Sequence, residues 1–402
     1  MKPRDENKQG HSGGAGGFGV EQEVLDRYAQ SAGQFEQSLC CPADGHDPAL
    51  LKLLPDEIIE KDYGCGNPAP YARPGDTVVD LGSGVGKMCY ILAQKVGPEG
   101  RVIGVDFNDA MLEVARKYED EMAERIGYRN VSFRKGRIQD LALDMDKAGR
   151  WLAANPIEDV NQLAAFNDYC RTLRREQPMM ADRSVDLIVS NCVLNLVETG
   201  EKAKLFTEMA RVLKPGGRAV ISDIVCDEDP TPAILADPKL WSGCISGAFG
   251  EDRFLRMFEE AGFHGMEILA RGDEPWRIID GIEFRSMTVR AWRDAPGPCL
   301  DRRQAVVFTG PWKQVRDDEG HIYRRGERMA VCDRTYRMLT DPDGPYAAHM
   351  IGIEPAEPDP LDEAPAFDCH SGVVRTPGET KGTQSTRPTV QRNAACGPGH
   401  CC

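Results

Sequence analysis

Between residues 77 and 225, short apolar runs alternate with amphipathic segments of helical length, and this alternation constrains the fold more than any other feature of the chain. Val78-Val79-Asp80-Leu81, Val102-Ile103-Gly104-Val105-Asp106, Val131-Ser132-Phe133, Val185-Asp186-Leu187-Ile188-Val189-Ser190 and residues 218–225 read as five strands. Residues 88–96, 109–126 and 202–213 carry apolar side chains at helical spacing, with Asp109 placed to cap the second of these helices. Strands separated by helices connect through right-handed crossovers. The pattern therefore predicts an α/β fold, a Rossmann-like and mainly parallel sheet with helices on both faces.

Around this block the pattern changes. Residues 21–59 read as helical, broken by Ser38-Leu39-Cys40-Cys41-Pro42, and residues 142–182 form a helical insertion between the third and fourth strands. Residues 227–272 are more helical again, and 282–292 alternate like a late strand that completes the sheet. In Val315-Arg316-Asp317-Asp318-Glu319-Gly320-His321-Ile322-Tyr323 the acidic centre is a turn between two strands, which predicts a hairpin in a small C-terminal domain over 296–345. The Gly-rich residues 1–20 are expected to be a disordered arm, and the Pro-rich, acidic residues 346–402 a mobile tail ending in Cys396-Gly-Pro-Gly-His400-Cys401-Cys402. The domain organisation expected is thus a nucleotide-type domain over 21–226, a segment over 227–295, the small domain, and the tail.

Composition narrows the function classes. With 402 residues, 41% of them hydrophobic, the chain can bury a substantial core. Its 49 basic against 64 acidic residues give a net charge of −15, which lacks the basic footprint that nucleic acid requires. No apolar run approaches the roughly 18 residues of a membrane span, and the N-terminal stretch has no apolar core of a secretory signal. A cytoplasmic protein is expected, and in a reducing compartment its 14 cysteines point to soft-ion binding, redox chemistry or plain burial.

The motif richest in chemistry is Asp80-Leu81-Gly82-Ser83-Gly84-Val85-Gly86-Lys87, where the first strand meets its helix. Ligands of open α/β sheets bind beyond the C-terminal strand ends, and glycines let backbone approach them closely. Asp106, ending the second strand, is placed to accept both hydroxyls of a ribose. A dinucleotide site would call for G-x-G-x-x-G, whereas this G-x-G-x-G with an acidic strand end suits S-adenosylmethionine (SAM), whose ammonium Asp80 favours. Residues 137–141, Ile138 and Gln139 among them, are expected beside the adenine. Tyr63, Phe107 and Asn191 are assigned to the same cofactor cleft.

Three cysteines sit in distinctive settings: Tyr63-Gly64-Cys65-Gly66 before the first strand, Ser190-Asn191-Cys192-Val193-Leu194-Asn195-Leu196 after the fourth, and Trp241-Ser242-Gly243-Cys244-Ile245 after the fifth. No metal-finger spacing links them, but the topology brings all three toward one cleft as a soft-ligand set. With the glycine loop and Arg211-Val-Leu-Lys-Pro-Gly-Gly, these segments resemble the arsenite methyltransferases, over roughly residues 20–367 without the insertion. The resemblance implies methylation of trivalent arsenic from SAM, with arsenic bound at Cys192, Cys244 and Cys65. It further implies that Cys65 takes part in a disulfide during the cycle and serves chiefly the first methylation, and that Cys40 or Cys41 is a fourth participating thiol. Arsenite or its thiol conjugates are then the substrate, with thioredoxin or glutathione as reductant. On this view 227–295 is a metalloid-binding segment.

Plainer readings stand beside these. Cys89, Cys170 and Cys226 read as core residues, Trp241 as a packing residue, and the acidic excess as solvated surface. Cys299, Cys332 and Cys369 stay open between core and ligand. The terminal Cys396–Cys402 cluster reads as a metalloid carrier or an oxidisable end. Two other functions remain open at this point: SAM-dependent methylation of carbon or oxygen in a small organic molecule, and metalloid sequestration without catalysis.

Overall fold

The computed structural model describes residues 17–33, 36, 45–61, 63–294 and 297–381, and the chain divides into two compact units, 1–294 and 295–402. The expectations for residues 1–16, for Cys40 and Cys41, and for the Cys396–Cys402 cluster fall outside the described residues. Residues 17–20, expected within the arm, open an α-helix, Gly17–Gly33.

In the first unit, β1 (Thr77–Leu81), β2 (Arg101–Asp106), β3 (Val131–Lys135), β4 (Val185–Asn191) and β5 (Leu213–Cys226) are followed by β6 (Phe249–Gly250), β7 (Phe263–Arg271), β8 (Arg277–Ile279) and β9 (Ile282–Arg293). The sheet runs β3-β2-β1-β4-β5-β9-β7, with β6 beside β5 and β8 beside β9. The pairs from β3 to β5 are parallel, and β9 joins β5 antiparallel, Arg218 opposite Trp292 and Cys226 opposite Phe284. This matches the class I SAM-methyltransferase fold. Strand order reverses between β1 and β4, so a crevice must open at the C-terminal ends of those strands.

The strands are apolar runs because both faces of the sheet are covered. Successive side chains alternate between the two layers: Val78 joins Tyr90, Leu92 and Leu112 in one core, while Val79 joins Phe206, Met209 and Phe258 in the other. Helices Lys87–Val96 and Asp109–Lys117 cover the first face, and Lys202–Val212 and Glu251–Glu260 the second. Fully burying one such aliphatic or aromatic side chain contributes about 1.5–3 kcal/mol. The helix expected to be continuous over 109–126 breaks at Tyr118 into Asp109–Lys117 and Glu119–Ile126. Its cap is Asn108 rather than Asp109: the Asn108 side chain accepts from the Ala110 and Met111 backbone N–H groups. The residue one earlier wins because its extended backbone (φ −87°, ψ 116°) aims the side chain at those donors.

The insertion forms two helices, Met145–Ala154 and Val160–Glu176, capped by Asp144 and Asp159. They close a small core of their own around Ala148, Cys170 and Leu173, with Trp151 stacked on Tyr169 at 5.3 Å between ring centroids. Arg174 ties this hairpin of helices to Asp140 at 2.8 Å.

The second unit holds β10 (Ala305–Phe308), β11 (Gln314–Arg316), β12 (Ile322–Arg324), β13 (Arg328–Ala330) and β14 (Met350–Ile353). The β11–β12 hairpin pairs Gln314 with Arg324, and Asp317 in its turn accepts from the Tyr323 hydroxyl at 2.8 Å. β13, β10 and β14 make a three-stranded antiparallel sheet. Residues 346–381, assigned by composition to the mobile tail, supply β14, an Ala366 bridge to Leu300, a Val374 bridge to Met329 and the helix Pro377–Lys381. Polar composition misled here because the segment is held by backbone hydrogen bonds, by Tyr346 and Met350 packed on the small core, and by Arg375, which donates to the Gln304 carbonyl and pairs with Asp301. Among the described residues no helix is long and apolar enough to cross a membrane.

Candidate functional site

At the strand-order reversal, the β1 chain turns through Gly82, Ser83 and Gly84, with the Gly82 and Ser83 N–H groups donating to the Val105 carbonyl. A cavity of ≈ 350 Å³ opens there. Asp80, Gly82, Ser83, Gly84 and Asp106 line it, as do Phe107, Ile138, Gln139, Tyr63, Asn191 and Cys192. Asp106 accepts from the Gly84 N–H at 2.8 Å and the Asn108 N–H at 2.9 Å, which fixes its carboxylate at the end of β2, while burial pushes its pKa up. Asp80 accepts from the buried Cys89 thiol at 3.3 Å.

Two observations fit this cavity to a polar ligand. The Ser83 hydroxyl is buried on its wall with no hydrogen-bond partner among the described residues, and a buried orphan hydroxyl is costly unless a ligand or water meets it. Gly84 has φ +51°, and a Cβ there would meet no atom of the described residues within 4 Å and would face the cavity. Gly86, grouped with the cofactor loop in the sequence, stands apart from the cavity. It begins the Lys87–Val96 helix at φ +87°, and a Cβ there would come within 2.6 Å of the Phe133 ring. Its absence of side chain serves packing of helix on sheet.

The thiols come from three loops. Cys65 and Cys192 are joined as a disulfide with Cα atoms 5.8 Å apart. The Cys244 thiol donates to the Cys192 carbonyl at 3.2 Å, and all three residues are buried in one cluster with Ile224, Ile245 and Phe284. Cys192 alone of the three reaches the cavity wall. Cys192 and Cys244 have left-handed backbones, φ +60° and +63°, a conformation that side-chain-bearing residues avoid at a cost of order 1–3 kcal/mol.

Asparagines hold these loops in place. Asn191 accepts from the Cys65 and Gly66 N–H groups at 2.7 and 3.0 Å and donates to the Gly66 carbonyl at 2.8 Å. Its amide, assigned from the sequence to the cofactor, is thus committed to the Cys65 loop. The approach requires Gly64, where a Cβ would stand 2.2 Å from the Asn191 amide nitrogen. Asn195 donates to the Ile224 carbonyl at 2.7 Å and to the Cys244 carbonyl at 3.2 Å. Trp241 packs, its indole N–H donating to the Leu196 carbonyl.

Sequence reasoning missed Asp223, and it read the N-terminal segment as helical without placing it at the cavity. Asp223 is fully buried, accepts from the Leu194, Asn195 and Ile224 N–H groups, and has a carboxylate oxygen within 4.8 Å of the Cys65 and Cys192 sulfurs. Burial pushes its pKa up to about 6, and burial pushes that of the nearby Lys202 down to about 8. Glu21, Val24 and Tyr28 on helix Gly17–Gly33 line the cavity. Arg27 ties that helix to Ser242 and the Lys239 carbonyl in the Cys244 segment, and Glu21 ties it to Arg137. The signal for Asp223 was only its place on β5 near Cys192; the helix carries no motif at all.

Strand order and cleft define a class I methyltransferase. Residues 72–180 and 175–262 match the model of a methyltransferase domain, and residues 295–385 that of a domain of unknown function. An arsenite methyltransferase of Aquipseudomonas alcaligenes is 33% identical over 337 residues, 80% of this chain and 86% of that protein. The arsenite methyltransferase of Rattus norvegicus is 28% identical over 95% of this chain and 96% of its own length. Among solved structures, an arsenic (III) S-adenosylmethionine methyltransferase from Chlamydomonas reinhardtii is similar with a TM-score of 0.51 and 28% identity, covering 81% of this chain and 100% of that one. The chain belongs to the arsenite methyltransferase family.

Proposed function

We propose that this enzyme methylates trivalent arsenic, drawing the methyl group from SAM. Asp80, Ser83, Gly84 and Asp106 would hold the cofactor, whose contribution when bound is an electrophilic methyl carbon on a sulfonium. Arsenic is soft and thiophilic, so thiolates of Cys192 and Cys244 suit it where an oxygen site would not. Its lone pair is the nucleophile, and no proton leaves it, so the protein needs no general base at this step. The work of the site is positioning, an effect worth about 7–11 kcal/mol in well-oriented reactions.

The observation that carries this reading is the left-handed backbone at Cys192 and Cys244, strain kept at two cysteines linked by the Cys244 thiol donating to the Cys192 carbonyl. Strain of this kind persists where surrounding structure over-determines it, commonly at working sites. Methyl transfer leaves arsenic formally pentavalent. Two thiolates returning two electrons to it become a disulfide, and Cys65 with Cys192 is a bonded pair of that kind. In that state Cys192 has no thiolate to offer, so each cycle requires an external dithiol or thiol, of the thioredoxin or glutathione class, to exchange with the disulfide. That requirement, in our reading, places the protein in the cytoplasm.

The test incubates purified protein with SAM, arsenite and a thiol reductant, then speciates the arsenic. Methylated arsenicals that require both SAM and reductant are expected. Arsenite bound but unmodified would instead indicate sequestration, and methyl transfer to organic acceptors alone would indicate carbon or oxygen chemistry.

A further inference from the structure

The second unit contains three more sulfurs in one place. The Sγ atoms of Cys299, Cys332 and Cys369 lie within 4.8 Å of one another. They come from three separate stretches of chain that backbone hydrogen bonds bind together. The Phe367 N–H donates to the Cys299 carbonyl at 2.9 Å, Asp301 N–H to the Pro365 carbonyl at 2.8 Å, and Asp333 N–H to the Leu300 carbonyl at 2.9 Å. Leu300 and Ala366 form a β-bridge between the Cys299 and Cys369 stretches.

Cys332 is the cap of the helix Asp333–Thr340, its sulfur accepting from the Thr335 N–H at 3.4 Å with the Thr335 hydroxyl at 3.2 Å. It is fully buried, whereas Cys299 and Cys369 are half-buried. Cys369, alone of the three, also lines a separate cavity of ≈ 300 Å³ that includes His321, Thr335 and His370, so the cluster is approached from the Cys369 side. No two of the three are bonded to each other: all are free thiols.

Such convergence has little value for packing alone, since a small apolar side chain at each position would fill the same space. Three soft donors at mutual contact distance make a coordination sphere. Structural zinc asks for four ligands in a tetrahedron, and among the described residues no His, Asp, Glu or fourth Cys joins the set within the same radius. A trivalent metalloid takes three thiolates in a pyramid and keeps its lone pair in the fourth direction.

We infer that Cys299, Cys332 and Cys369 form a second, three-thiolate binding site for a trivalent metalloid, arsenite being the natural occupant, outside the methyl-transfer cleft. On binding, three S–H bonds are exchanged for three As–S bonds, and the three hydroxyls of arsenous acid leave as water with the thiol protons; no redox change occurs. The choice of arsenic among trivalent metalloids rests on the proposed activity, whereas the three-thiol set does not.

The test uses the full-length chain carrying C65S, C192S and C244S, so that the methyl-transfer cleft cannot contribute. The reduced protein is loaded with arsenite, desalted, and its arsenic and zinc per chain measured by mass spectrometry. Adding Cys299→Ser, Cys369→Ser or Cys332→Ser (serine keeps an acceptor at the helix cap) is expected to remove one equivalent of arsenic each time. Folding is checked by circular dichroism, and the half-buried Cys299 and Cys369 guard against an unfolded Cys332 variant. Arsenic content unchanged by all three substitutions would overturn the inference. So would about one zinc per untreated chain that the same substitutions remove. Because methyl transfer is not read, failure of the proposed activity and failure of this site are told apart.

Discussion

Cys192 and Cys244 hold side chains in a backbone region that glycine would occupy without penalty, and the surrounding hydrogen bonds keep them there. Serine at either position keeps the shape and removes the soft ligand. C192S and C244S should each lower arsenite methylation by at least about a hundredfold, the scale of a misplaced reacting atom, with SAM affinity little changed by calorimetry. Near-normal turnover in either variant would remove that residue from the site. Asp223 gives a separate test. Its folded pKa of about 6 lies above the ordinary 3.8. Below 3.8 both states hold the proton, between the two values only the folded state does, and above 6 neither does. Raising pH through that window therefore favours the unfolded chain, by up to about 3 kcal/mol. Relative to D223N, the unfolding free energy of the unmodified protein should fall between pH 4 and pH 7 in urea titrations. A pH-independent difference between the two proteins would contradict the burial argument.

At the scale of elements, the strand ends and the glycine loop were legible because spacing alone sets them. The apolar runs of β1, β2 and β4 fall at the predicted positions, and the topology makes the crevice beyond them unavoidable. Gly86 stands against the Phe133 ring and not on the cavity wall, and a glycine that admits a ligand looks the same in sequence as one that admits a neighbouring ring. Asn191 and Asn195 were legible as neighbours of Cys192, but their work, tethering the Cys65 and Cys244 loops, depends on contacts between residues far apart in the chain. Asn195→Ala should leave the Ile224 and Cys244 carbonyls without their donor. We expect it to cost about 1–3 kcal/mol of stability and to lower arsenite methylation, with SAM affinity unchanged. Normal methylation in N195A would show that the Cys244 loop holds without the tether. Gly84→Val should act the other way, weakening SAM binding: its side chain would enter the cavity, and a left-handed backbone there adds about 1–2 kcal/mol. Unaltered SAM affinity in G84V would place the cofactor elsewhere.

For the whole molecule, composition foretold a large core and misjudged residues 346–381. These residues are polar and Pro-rich yet ordered, because their backbone groups pair with β10 and with the Cys299 and Met329 stretches, and Tyr346 and Met350 pack on the small domain's core. The insertion was visible as an interruption, and its helices complete their own small core. Trp151→Ala should therefore speed hydrogen exchange within Met145–Ala154 and Val160–Glu176 while leaving arsenite methylation within about twofold, since local stability varies by cooperative unit. A larger loss of activity would tie the insertion to the cleft. The central claim, that thiols drawn from separate loops grip trivalent arsenic at the cofactor cavity, is tested most directly by anomalous scattering at the arsenic edge from crystals of the reduced protein soaked in arsenite. The account predicts a peak bonded to the sulfurs of Cys192 and Cys244. A first unit with no arsenic at those sulfurs would contradict it.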